Sequence, residues 1–100
     1  MKNSGYELTP SARLSVLEIW NYLAENATIA IADEVLAGLE TSIQLIIERP
    51  FIGHVRSDLT RRDYRFFRSG SYWIVYRPRT APLKVYYILH ASRDVRRLLK

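Results

Sequence analysis

The sequence predicts one α+β domain: an N-terminal strand and a helical hairpin packed on one face of a small, mainly antiparallel sheet, with a short C-terminal helix. Three observations carry that expectation. The first half holds two stretches with apolar residues at helical spacing, the second half holds three runs rich in aromatic and β-branched residues, and Pro50 marks the change between them. One hundred residues is the size of a single compact domain that buries one core without metal or disulfide staples.

Each element has a local chemical origin. Tyr6 to Leu8 reads as an extended piece ahead of Thr9-Pro10, where Thr9 accepts from the first free helical N–H groups and Pro10 supplies a helical φ. Ala12, Val16, Ile19, Trp20 and Leu23 then share one face of a helix running to about Glu25, which puts Trp20 in the core. Asn26-Ala27-Thr28 breaks the chain. A second helix is expected from about Ile29 to Arg49, with Ala32, Leu36, Leu39, Ile43 and Ile46 on its apolar face and Pro50 ending it.

Beyond Pro50, Gly53 and the loss of periodicity predict a loop that carries the chain to a new layer. Strands are expected at Tyr64 to Arg68, Ser71 to Arg77 and Leu83 to Ala91. Ser69-Gly70 makes the first connection a tight hairpin, and Pro78 with Thr80-Ala81-Pro82 makes the second a longer turn. Ser92 is expected to cap a terminal helix over SRDVRRLLK.

Strand alternation then assigns faces. Arg77 and Lys84 do not belong in a core, so their faces should be open, taking Trp73, Val75, Tyr86, Ile88 and His90 outward with them. Tyr72, Ile74, Tyr76, Val85, Tyr87 and Leu89 would pack on the helices, while Arg65 and Phe67 join the outward set. Such an outer face, aromatic and cationic, is too apolar to stand bare and reads as a covered or working surface.

The charge is divided along the chain. Residues 1–50 hold three basic and seven acidic side chains, whereas residues 51–100 hold twelve basic and three acidic ones, within an overall net charge of +5. Clustered positive charge points to an anionic partner, nucleic acid or acidic polypeptide. The absence of cysteine excludes a disulfide framework, thiolate catalysis and a cysteine-ligated zinc site, and fits a reducing compartment. No apolar run approaches the roughly 18 residues of a membrane span, and MKNSGYELTPSARL lacks the apolar core of a signal peptide, so a cytoplasmic location is expected.

The element order, together with the segments RPFIG, YRFFRSGSYWIVYRP and YYILHASRDVRRLL, resembles the ParE branch of the RelE/ParE toxin superfamily from Tyr6 to Leu99. The resemblance implies a toxin of a type II toxin–antitoxin pair, held inactive in a hetero-oligomer by a ParD-like antitoxin whose C-terminal segment wraps over it. It also implies action on DNA gyrase to block replication, with no cofactor and with nucleic acid met only indirectly, through the antitoxin or gyrase; the RelE branch instead cleaves messenger RNA. On that reading Arg65, Phe67, Trp73, Tyr86 and His90 face the antitoxin through a groove formed by the outer sheet face and the helical hairpin. Arg61, Arg62, Arg68, Arg96 and Arg97 are left as target contacts.

Two other readings stand beside it. RNA cleavage needs a base, an acid and cations around the phosphate, and His90, Arg65 and Arg77 are the residues that would supply them. A nontoxic remnant that helps its antitoxin repress their promoter is the third. His54, with no partner at metal-ligand spacing, is expected to be a solvated loop residue.

Overall fold

The computed structural model describes residues 5–93, in which the elements run β1 (Tyr6–Leu8), α1 (Pro10–Asn26), α2 (Ile29–Glu48), β2 (Arg65–Ser69), β3 (Tyr72–Arg77) and β4 (Leu83–His90). The expected terminal helix lies outside the described residues. Both helices begin at a threonine. Thr28 Oγ1 accepts from Ile31 N at 3.0 Å, and Thr9 Oγ1 accepts from Ala12 N at 3.1 Å while donating to Tyr86 O at 2.6 Å. The Thr9 hydroxyl thus caps α1 and fastens it to β4. Thr9→Ala is expected to destabilise the protein by about 1–2 kcal/mol, seen as a lower urea midpoint with unchanged slope.

The sheet order is β1-β4-β3-β2, with β1 parallel to β4 and the other pairs antiparallel. Both helices cover one face. There Ala12, Leu39, Ile43 and Ile46 pack against Ile74, Tyr76, Val85 and Ile88, joined by Val16, Ile19 and Phe67. A second cluster, Tyr64, Phe66, Val75 and Leu89 with Leu59, Trp73, Tyr86 and Tyr87 against it, occupies the opposite face.

This division corrects the expected alternation in two places. Across β3 and β4, Val75 faces Tyr87 but Tyr76 faces Val85, so Tyr86 is an extra residue in β4. The bulge reverses the phase of the remainder of β4. Tyr86 and Tyr87 both reach the outer cluster, Leu89 points outward, and Ile88 turns to the helices, whereas simple alternation puts Ile88 and His90 outward and Tyr87 and Leu89 inward. In β2 the pairs Arg68 with Trp73 and Phe67 with Ile74 set Phe66 and Arg68 outward, leaving Arg65 and Phe67 on the helix side. A two-residue turn at Ser69-Gly70 or, as found, at Gly70-Ser71 pairs even-numbered residues of β2 with odd-numbered residues of β3, so Phe66 and Arg68 share the face of Trp73 and Val75 in either register.

The loop between α2 and β2 crosses from one face to the other. Ile52 packs with the helix-side core, Gly53 N donates to Tyr76 Oη at 2.9 Å, and that hydroxyl donates to Pro50 O at 2.7 Å. His54 then pairs with Phe66 around the β2 edge through two backbone hydrogen bonds of 2.8 Å, its side chain exposed. Beyond it, Leu59 and Tyr64 lie on the outer cluster. The outer face is therefore covered by the chain's own loop, which is why Phe66 and Val75 are fully buried there.

Candidate functional site

The outer face is a lattice of arginines laid on aromatic rings. Arg68 and Arg56 stand over Trp73 at 5.5 and 6.0 Å, and Phe66 meets the indole edge-on. Toward the other end of β3, the Arg77 guanidinium lies 5.0 Å from the Tyr86 ring and 5.5 Å from Tyr64, with Lys84 Nζ 5.7 Å from Tyr86. Cation–π attraction of this kind positions the guanidinium without neutralising it. Arg77 Nε is buried with no hydrogen-bond partner, and neither Arg77 nor Arg68 joins an ion pair among the described residues. Burial raises the pKa of the Tyr64 hydroxyl, while the nearby Arg77 and Arg62 charges pull it back.

The residues expected to form one antitoxin surface do not share a face. Trp73 and Tyr86 lie on the outer side, whereas Phe67 packs with the helix-side core. Arg65 turns to the loop, donating to Gly53 O at 2.9 Å and Phe51 O at 3.3 Å with its guanidinium 5.0 Å from the Phe51 ring. His90 lies across from Tyr72, with its ring edge-on to that tyrosine. Since the helices cover the inner face, the outer face and the hairpin are on opposite sides of the sheet. They cannot line one groove. Arg61 and Arg62 are exposed in the crossing loop, and Arg96 and Arg97 lie outside the described residues.

The ribonuclease constellation is dispersed in the same way. His90 pairs with Tyr72 and Arg77 with Lys84, five residues apart on β3, or about 17 Å at strand rise. His90 Nδ1 accepts from Ser92 N at 3.1 Å and lies 2.7 Å from Ser92 Oγ. It borders a small cleft of about 220 Å³ with Glu18, Tyr22 and Arg93. Among the described residues, no group of three or more His, Asp or Glu side chains is placed to hold a metal ion, and no helix is long and apolar enough to cross a membrane.

A third surface was not anticipated. Leu14 and Leu17 are 55% and 56% exposed on α1, and with Leu8, Val16, Trp20 and Leu36 they line an open groove of about 900 Å³ along the hairpin. Trp20, expected in the core, is half-buried at this groove and donates from Nε1 to Asp33 Oδ1 at 2.9 Å, tying α1 to α2. The signal was present in the sequence. Leu14 and Leu17 fall off the stripe set by Ala12, Val16 and Ile19, giving α1 a second apolar face.

The layout of strand, helical hairpin and mixed four-stranded sheet is the RelE/ParE-like fold. A solved structure of the chromosomal ParDE TA system from P. aeruginosa superposes with a TM-score of 0.74 over 87% of this chain and 95% of that one, at 10% identity. Toxin ParE1 of Caulobacter vibrioides is 29% identical over 91 residues, covering 91% of this chain and 93% of that protein. Residues 6–95 match the model of the ParE toxin of type II toxin–antitoxin system, parDE. The chain belongs to the ParE toxin family.

Proposed function

We propose that this chain is a cytoplasmic toxin that binds DNA gyrase and traps it with its DNA cleaved, and that a ParD-like antitoxin neutralises it by laying an apolar segment into the α1–α2 groove. Family membership supports the toxin role. The observation that carries the binding mode is the dispersal of His90, Arg65 and Arg77, which leaves the general acid–base reading without a common phosphate to act on. The groove supports the antitoxin's position. Its leucines are the kind of exposed apolar stripe that an amphipathic partner segment covers.

The test is plasmid cleavage by purified gyrase with the folded toxin. Dose-dependent linear DNA, reversed by a cognate ParD-like antitoxin, is the expected result. His90→Ala should poison gyrase as well as the parent does. Undisturbed gyrase, or complete loss of toxicity in folded His90→Ala, would move the messenger RNA reading ahead.

A further inference from the structure

We propose that the outer sheet face binds the phosphate backbone of duplex DNA, independently of sequence. Such binding is separate from the antitoxin and gyrase roles and stands whether or not either holds. Its ground is how charge and apolar surface are distributed between the two sides of the sheet.

Arg56, Arg62, Arg68, Arg77 and Lys84 gather on or beside the outer cluster. Among the described residues, few carboxylates answer them. Arg56 pairs with Asp58 at 2.8 Å, and Glu7 reaches Lys84 only at 3.9 Å, both in exposed pairs that water and salt screen. The helical layer on the opposite side is acidic, with Glu18, Glu25, Asp33, Glu34, Glu40 and Glu48 against Arg13 alone. The molecule is thus electrically two-sided, and its outer side is the one an approaching polyanion meets.

The form of the surface selects among polyanions. A peptide-binding hot spot needs a large apolar side chain standing free to enter a partner. Among the described residues, the exposed large hydrophobics are Leu14, Leu17, Tyr22, Ile29, Ile31, Phe51 and Val55, and none belongs to the outer cluster. Single-stranded nucleic acid needs open aromatic faces for its bases. Here the faces of Trp73, Tyr64 and Tyr86 already carry guanidinium groups. What remains on offer is a row of cations, among them Arg77, which joins no ion pair among the described residues. A row of cations suits phosphates. Residues 51–100 contain no Asn or Gln to read an adenine edge, which fits binding without sequence preference.

The experiment is fluorescence anisotropy of a labelled duplex of about 24 base pairs, titrated with the full chain at several NaCl concentrations. For three to five phosphate contacts, log K should fall with log salt at a slope of about −3 to −4.5. Arg77→Gln and Arg68→Gln should each make the slope shallower by about 1 and weaken two unrelated duplexes alike. Arg13→Gln, on the acidic layer, should bind as the parent does. Lack of salt-dependent binding at the lowest salt would overturn the proposal, as would outer-face variants that bind like the parent. Displacement of the duplex by polyglutamate of equal charge at a lower concentration would also overturn it and assign the face to an acidic polypeptide. Should Arg77→Gln lose its native circular dichroism, Arg68→Gln decides, because that side chain is exposed. Anisotropy does not register gyrase poisoning, so failure of that function and failure of this one remain distinguishable.

Discussion

Gly53→Ala is expected to destabilise the protein by about 2–5 kcal/mol, a large part of the roughly 5–15 kcal/mol that holds such a domain folded. A Cβ at this position would stand 2.6 Å from Tyr76 Oη, 2.9 Å from its Cε1 and 3.1 Å from Arg65 Cβ. Tyr76 cannot withdraw easily. Its side chain is fully buried against the helices, and its hydroxyl is held between Pro50 O and Gly53 N. A methyl group therefore forces either a shift of the ring, with both hydrogen bonds lost inside the protein, or a displacement of the loop that leads to Arg56, Leu59 and Tyr64. Gly38→Ala is the matching control. It lies in the middle of α2 with nothing within 4 Å of the added carbon, so it should raise stability by about 0.5–1 kcal/mol through helix propensity. Urea unfolding of the two variants checks both. A Gly53→Ala midpoint equal to the parent's would show that Tyr76 and the loop are not packed as described.

The helices were legible in the sequence because their determinants are local. Thr9-Pro10, Thr28 and Pro50 act within a turn of where they stand, so the boundaries at Pro10, Asn26, Ile29 and Glu48 fall within a residue of expectation. The strands were legible as elements for the same reason. Their faces were not, because the bulge at Tyr86 is a property of two paired strands and appears in neither alone. That one inserted residue sends Ile88 to the core and Leu89 outward and takes His90 off the outer face, while the β2–β3 pairing separates Arg65 and Phe67 from Trp73 and Tyr86. The covering loop was hidden too. Leu59 sits in an aperiodic segment, and only the His54–Phe66 bridge around the sheet edge reveals that it reaches the outer face. The cationic and aromatic content of the second half was legible as chemistry, but its pairing into cation–π contacts depends on those same registers.

On the function proposed above, Leu17→Asp is expected to weaken antitoxin binding by about 100-fold or more while leaving gyrase poisoning intact. The side chain is 56% exposed, so the free toxin loses little by the change beyond a few tenths of a kcal/mol of helix propensity. In the complex the balance differs. Covering a leucine contributes about 1.5–3 kcal/mol, and a carboxylate in its place must be desolvated against Leu14, Trp20 and Leu36, so affinity should fall by at least about 3 kcal/mol, or two orders of magnitude. Coexpression gives the plainest readout. Cells carrying the antitoxin should survive the parent toxin and die with Leu17→Asp, and calorimetry of the purified pair should show the lost affinity. Arg68→Gln should behave in the opposite sense, remaining neutralised while binding duplex more weakly, because the groove and the outer face lie on opposite sides of the sheet. If instead Leu17→Asp stays neutralised and Arg68→Gln escapes, the antitoxin occupies the outer face, and its cation-laden aromatics serve a peptide rather than a phosphate backbone.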